Sequence, residues 1–311
     1  MRVLITGGAG FLGSHLAEHL LKKGAEVVLI DNFATGRKEN LANLAGAKFV
    51  EGSVANKALI DECFDKLKPT HVIHSAAAFK DPNNWKEDID TNVLGTAHVV
   101  QASKRHDVNR LVYFQTALAY GRAKSPIKVE TDYAPLLSYS ISKAGGEFYT
   151  AMSGLPWVSL RLANVYGPRL FTGPQPIFVK KLRAGEACTI VNTRRDFLDL
   201  RDFMILMDQV LEVGAPTGAY NVASGRDITI PQLFDMIVKG LGLKEGEYKP
   251  PTVQEPAGED LNSLLLDPSL TTEKFGWTPK ISVADGTAAL VEWYKANGVG
   301  ETFTHFVNKK S

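Results

Sequence analysis

Only two cysteines occur among the 311 residues, Cys63 and Cys188. They are too few and too far apart for a disulfide framework or a zinc knuckle, and they point to reduced thiols in a cytoplasmic protein. An excess of either charge is missing too: 35 basic residues face 34 acidic ones, a net charge of +1. Nothing electrostatic therefore argues for a nucleic-acid partner or an anionic membrane surface. No apolar run approaches the length of a membrane span. Internal repeats and low-complexity tracts are also lacking. The first residues read as a strand and not as a cleavable leader. What remains is a globular chain, 44% hydrophobic and 22% charged, long enough for one large domain or two lobes.

What is present is a glycine-rich turn in a telling place. Val3-Leu4-Ile5-Thr6 is a short apolar run, Gly7, Gly10 and Gly13 follow, and an amphipathic segment starts at Phe11-Leu12. The three spacings suit a tight turn, close backbone approach to a pyrophosphate, and close packing of helix on strand. The helix that follows would turn its free N–H groups and positive end toward the phosphates. About twenty residues on, a second apolar run ends in Asp31-Asn32. An acid there accepts from both hydroxyls of an adenine-side ribose and repels a 2′-phosphate, which predicts NAD in preference to NADP.

Apolar runs near Val3–Ile5, Val27–Ile30, Lys48–Val50, His71–Ile73, Leu111–Phe114 and Trp157–Leu162 read as buried parallel strands. Helical patterns alternate with them, including Phe11–Lys23, Asn92–Lys104 and Tyr139–Met152. The expected architecture is α/β: a doubly wound parallel sheet over residues 1–165, binding the dinucleotide. After Leu162 prolines cluster and elements shorten, so 166–311 reads as a smaller α+β substrate lobe, with segments that could return to the first domain. In it, Ile230–Leu241 and Val283–Ala296 look helical, Pro250 to Gly258 looks like a loop, and the end from Gly298 looks like a surface tail.

Tyr139 and Lys143 stand four apart, on one face of a predicted helix. A free tyrosine is a poor base at neutral pH. A lysine ammonium and the positive ring of an oxidised nicotinamide would both favour phenolate, making Tyr139 able to take a proton from a sugar or alcohol hydroxyl. Thr116 falls at the end of a predicted central strand, where open α/β sheets bind ligands. Its hydroxyl could pass a hydrogen bond between substrate and tyrosine. Lys80 and Trp85 fall after the fourth strand, with Lys80 a candidate substrate contact. His15 and His19 share metal-pair spacing without an evident third ligand, so both are expected to face solvent and no metal is expected.

Taken together, Thr6 to Gly13, Asp31-Asn32, His74-Ser75-Ala76-Ala77, Thr91 to Thr96, Tyr139 to Lys143, Asn164 to Arg169, Arg195-Asp196-Phe197 and Gly276 to Pro279 resemble the extended short-chain dehydrogenase/reductase family, in its nucleotide-sugar epimerase/dehydratase branch. The resemblance covers Arg2 to about Trp293. It implies that Thr116, Tyr139 and Lys143 are catalytic. It implies that Ser53, Val54, Ala76, Ala77 and Asn92 join the glycine turn around NAD. Asn164 and Arg195, with Arg169 nearby, match positions that grip the substrate's diphosphate. It also implies a homodimer through the helices containing Asn92 and Tyr139.

The resemblance further implies oxidation of a sugar hydroxyl, usually at carbon 4, as the shared first step. Dehydratases resemble one another in an acidic pair after the catalytic threonine. Here those positions are Ala117 and Leu118, which cannot exchange protons. The expected reaction is thus 4-epimerisation of a nucleotide sugar, UDP-linked, with NAD recycled. A net sugar oxidoreductase and a non-catalytic NAD sensor are the alternatives. Three departures bear on the substrate: Ser53 replaces a frequent aspartate, the stretch Gln254 to Asp260 lacks a second diphosphate arginine, and Cys188 to Arg194 looks short. Arg169, Arg194 and Arg201 are candidates to compensate.

Overall fold

A computed structural model describes residues 1–257 and 261–302. The last part of the expected tail, and Gly258–Asp260 at the end of the expected loop, lie outside the described residues. The strands are β1 (Arg2–Thr6), β2 (Glu26–Asp31), β3 (Lys48–Glu51), β4 (His71–His74), β5 (Arg110–Thr116), β6 (Trp157–Leu162), β7 (Asn164–Tyr166), β8 (Thr189–Val191), β9 (Arg194–Asp199), β10 (Gly218–Val222), β11 (Asp227–Thr229), β12 (Thr252–Gln254) and β13 (Ser263–Leu264). The helices are α1 (Phe11–Lys22), α2 (Lys57–Leu67), α3 (Trp85–Asp88), α4 (Thr96–Arg105), α5 (Ser138–Ala151), α6 (Pro174–Arg183), α7 (Leu200–Val210), α8 (Ile230–Leu241), α9 (Ser269–Phe275) and α10 (Val283–Asn297).

Among the described residues, a seven-stranded sheet has the order β10-β6-β5-β4-β1-β2-β3. The pairs from β6 through β3 are parallel. The order reverses between β1 and β4, which makes their carboxyl ends the place where an open α/β sheet binds ligands. The fold is the expected Rossmann-type α/β sheet. The strands are near-continuous apolar runs because helices cover both faces. Leu4, Val28, Ile30 and Val72 from the strands share one core cluster with Ile60 and Phe64 of α2 and Val99 and Val100 of α4.

By chain contacts there are two compact units. The first is Met1–Ala119, Tyr133–Leu162 and Leu206–Tyr220; the second is Tyr120–Asp132, Ala163–Ile205 and Asn221 onward. In the second, β9 pairs with β7, β11 and β13. Its Gly276-Trp277-Thr278-Pro279 motif has a local reason: the Trp277 indole donates to the Asp202 carbonyl, 2.9 Å, and Asp202 Oδ2 accepts from Lys280 and Ile281 N–H.

Three local expectations change. The helix predicted from Asn92 begins earlier, as α3 followed by a π-helical turn, Ile89–Gly95, that runs into α4. The stretch read as a loop from Pro250 contains β12, which pairs with β8. His19 does not merely face solvent: it lies 2.7 Å from Asp208, which also pairs with Lys23 at 2.6 Å. An acid from a distant helix could not be seen from the spacing of His15 and His19.

Candidate active site

The turn after β1 is built by what its glycines lack. Gly7 adopts φ +70°, and a Cβ there would lie 2.8 Å from the Ala76 nitrogen. A Cβ on Gly13 would stand 2.1 Å from the Gly7 carbonyl oxygen. The turn is tied to β2 by Gly7 and Gly8 N–H donating to Ile30 O, at 2.8 and 3.1 Å. Gly10 caps α1 without a side chain, Phe11 and Leu12 open the helix, and its first turn contains no acid. The positive end of α1 is thus left without a side-chain anion of its own.

Asp31 ends β2 beside this turn and is buried. Its Oδ2 accepts from Ala9 N–H at 2.9 Å and Oδ1 from Phe33 N–H at 2.7 Å. Burial raises its carboxyl above the ordinary range, and these backbone donors oppose the shift. Asn32 closes an Asx turn onto Ala34 N–H, 3.1 Å. Past β3, the Ser53 hydroxyl accepts from Ala55 N–H at 3.2 Å, and Val54 is buried against Gly95.

Four buried polar residues link the turn to α5. The Thr6 hydroxyl meets His74 Nδ1 at 2.6 Å, His74 Nε2 meets the Thr96 hydroxyl at 2.9 Å, and Thr96 donates to the Asn92 carbonyl at 2.7 Å. Because Thr96 donates onward, it must accept from His74, and Nδ1 then accepts from Thr6. The imidazole is neutral with its proton on Nε2. Burial, with Lys143 adding repulsion, drives its pKa down to about 3. Asn92 uses its carboxamide in three directions: Oδ1 accepts from Ala78 N–H at 2.8 Å, while Nδ2 donates to Ala78 O and to Ser142 Oγ, at 3.0 and 2.9 Å. It therefore clamps the chain leaving β4, just beyond Ala76 and Ala77, to α5. Thr6 also accepts from Ala76 N–H, 3.2 Å.

α5 lies tight on β5 because residue 146 is glycine. A Cβ there would stand 2.4 Å from the Tyr113 hydroxyl and 2.7 Å from Asn92 O. Tyr113 and Gln115 of β5 both donate to the Lys143 carbonyl, at 2.9 and 3.0 Å. This seating brings the Tyr139 phenol into a hydrogen bond with the Thr116 side chain at the end of β5. Lys143, one turn on and buried, holds its Nζ 4.0 Å from the centre of the Tyr113 ring. Burial pushes its pKa down to about 7, against the pull of Glu147. Glu147 is itself buried, accepting from Tyr133 at 2.8 Å, Ser159 at 2.5 Å and Arg161 at 2.7 Å.

The pull toward phenolate expected of Lys143 and an oxidised nicotinamide meets a large opposing effect. Burial raises the phenol well above its usual range, Asp88 adds to the rise, and only the Thr116 bond opposes it. The physical reason is that desolvation outweighs the lysine, whose ammonium sits over Tyr113 and is itself disfavoured by burial.

The residues expected to grip a diphosphate lie in the second unit, with Asn164 on β7 and Arg195 on β9. Asn164 Nδ2 donates to Asp196 O at 2.8 Å, and Arg195 Nη1 donates to the carbonyls of Arg194 and Leu261, both at 2.8 Å. Arg169 takes a left-handed backbone, φ +65°. Two of the arginines considered as compensation are bound elsewhere. Arg194 is held by both oxygens of Asp227, and Arg201 by both oxygens of Asp199. Lys80 is exposed in the segment between β4 and α3.

The family model described as the NAD dependent epimerase/dehydratase family matches residues 3–223. The chain belongs to this family. A solved Bordetella bronchiseptica structure, of the enzyme WbmG in complex with NAD and UDP, is 48% identical, with a TM-score of 0.93 and 99% of both chains covered. A UDP-glucose 4-epimerase of Mycolicibacterium smegmatis is 30% identical over 95% of this chain and 99% of its own. A dTDP-glucose 4,6-dehydratase of Streptomyces niveus is 29% identical over 96% of this chain and 94% of its own. The chain is thus an enzyme of a family that contains both epimerases and dehydratases, and its cofactor is NAD.

The site fits the family's dinucleotide on its own geometry. The uncapped start of α1 suits a diphosphate. Asp31 accepts from the backbone N–H groups of Ala9, Asn32 and Phe33, and a carboxylate's further acceptor capacity suits ribose hydroxyls. The close approach of Gly7 to Ala76 leaves no side chain between turn and strand end. Among the described residues no group of three or more His, Cys, Asp or Glu could hold a metal, and no helix is long and apolar enough to cross a membrane. The sequence reading missed Thr96, Ser142 and Tyr113 as supports of the site, and Asp88 beside it. A histidine ending the apolar run His71–His74 was the one signal that buried polar partners had to exist.

Proposed function

We propose that this enzyme is an NAD-dependent nucleotide-sugar 4-epimerase with a UDP-linked substrate. The observation that carries the reading is the Tyr139–Thr116 hydrogen bond at the carboxyl end of β5, with buried Lys143 one turn away. NAD, when bound, supplies a reversible two-electron oxidant whose oxidised ring is positively charged. Tyr139 takes the proton from the sugar's 4-hydroxyl, and Thr116 holds that oxygen in line. Lys143 adds positive charge in its protonated fraction and would hold a ribose hydroxyl of the cofactor. After the 4-keto sugar turns its other face, Tyr139 returns the proton. Ala117 and Leu118 cannot supply the further proton transfers of a dehydration, which favours epimerisation.

The UDP moiety is supported by the WbmG complex with NAD and UDP, 48% identical. We assign the diphosphate to Asn164, Arg169 and Arg195, and a sugar contact to Lys80. The dinucleotide belongs to the first unit, with Gly7, Gly10, Phe11, Leu12, Gly13, Asp31, Asn32, Ser53, Val54, Ala76 and Ala77 around it and Asn92 holding its floor. We assign a homodimer through α5 and the π-helical turn, where Ile89, Leu94, Ile141, Phe148 and Met152 are 44–73% exposed. Both cysteines are buried and free, which suits a cytoplasmic enzyme.

The test is a panel of UDP-sugars with protein containing tightly held NAD. Interconversion of a 4-epimer pair, with only a transient reduced-cofactor absorbance, is expected. Continuous accumulation of reduced cofactor would select a net oxidoreductase. Loss of water from the sugar would select a dehydratase.

A further inference from the structure

One carboxylate near the phenol has no part in the reaction as written. Asp88 ends α3, just before the π-helical turn, and is 2% exposed. The Ser138 hydroxyl donates to it, and its Oδ2 has no hydrogen-bond partner. Ser138 is the first residue of α5 and Tyr139 the second. That first turn contains no acid, and no side chain caps it from Leu137. Asp88 therefore brings a negative group from a neighbouring helix to the positive end of the helix that holds the phenol.

We infer that Asp88 is a positioning residue: through Ser138 it anchors the first turn of α5, and it sets the charge beside the Tyr139 phenol. The inference rests on Tyr139 as the proton-transfer group. An epimerase must take a proton and give it back, so its base has to work in both directions. A positive cofactor ring acting alone would favour the phenolate and weaken the return. Burial of the phenol opposes that pull, and Asp88 adds to the opposition.

The other charges on the packed elements do not replace it. Lys86 is paired with Asp90 of the π-helical turn. Burial raises the Asp88 carboxyl above its ordinary range, Glu87 and Asp81 of the preceding loop add to the rise, and the Ser138 bond opposes it. On α5, Glu147 is paired with Arg161 of β6, and Lys143 lies over Tyr113 of β5. His74 of β4 is neutral, and His98 of α4 is hydrogen-bonded to the Val54 carbonyl.

The experiment titrates the near-ultraviolet phenolate absorbance of NAD-loaded protein, using the difference from Tyr139→Phe to isolate that phenol. Asp88→Asn retains the shape and removes the charge. The difference midpoint is expected to fall by about one pH unit, and the acid limb of kcat/KM to move the same way. Ser138→Ala is expected to lower kcat severalfold while leaving KM and NAD affinity unchanged. A folded, NAD-binding Asp88→Asn protein with an unmoved or raised midpoint overturns the proposal. If Asp88→Asn does not fold, Ser138→Ala decides: an unchanged midpoint together with unchanged kcat overturns it. The titration needs no sugar, so failure to turn over any sugar nucleotide would sink the epimerase reading and leave this readout standing.

Discussion

Tyr139 and Lys143 are four residues apart, and the sequence shows their alliance but not their electrostatics. Spacing put both on one face of a helix; only packing reveals that each is desolvated and that the ammonium rests over Tyr113. Replacing Tyr139 with Phe is expected to lower kcat roughly a hundred- to ten-thousand-fold while NAD affinity is retained, read by turnover and by cofactor titration. Lys143 predicts a pH effect on stability. Burial holds its folded-state value near 7, below that of an unfolded lysine, so the unfolded chain binds more protons between about pH 7 and 10. Stability of the NAD-free protein should therefore rise across that window, by at most about 1.4 kcal/mol per pH unit. Lys143→Met should flatten the rise in denaturant titrations at several pH values. The arginines were the least legible residues. Nothing in the stretch Thr193 to Arg201 tells that Arg194 and Arg201 are held by Asp227 and Asp199, because those partners are set by a sheet register and a tight turn.

At the scale of elements, apolar runs located six strands of the main sheet, since strands buried on both faces leave a strong, local signal. The π-helical turn was not legible. Within it Asn92 bonds both Ala78 and Ser142, contacts set by residues distant in the chain. β12 was hidden for a related reason: all three of its residues are exposed, so no hydrophobic pattern marks them. The seating of α5 gives a paired prediction. Gly146→Ala must displace the Tyr113 hydroxyl or the Asn92 carbonyl, and is expected to cost about 1–3 kcal/mol with reduced activity. Gly145→Ala meets only Val93 at 3.6 Å, an ordinary contact, and is expected to be neutral or to add up to about 1 kcal/mol through helix propensity. Thermal or denaturant unfolding of the two variants, one residue apart, separates packing from propensity.

For the whole molecule, the exposed apolar side chains of α5 and the π-helical turn lead to a further test. Phe148→Asp should convert the proposed dimer to monomer in sedimentation experiments, since a charge on that face opposes burial there. A wild-type protein that sediments as a monomer at micromolar concentration would remove that assignment. The sequence showed the apolar excess, but not which part of it the core would use: Val99 and Val100 turn inward and Leu94 stays outside. The path from Thr6 through His74 to Asn92 has a consequence of its own. Its donors all point one way, and the imidazole in the middle is the sole link that acid can reverse. A second proton there would turn Nδ1 from acceptor to donor, facing a hydroxyl already committed to giving. Burial keeps that proton off until about pH 3, while an unfolded histidine takes it up near 6.5, so folding weakens as pH drops between these values. The glycine turn and the helix bearing the phenol are fastened to one latch, and acidification should release NAD before circular dichroism reports any loss of helix.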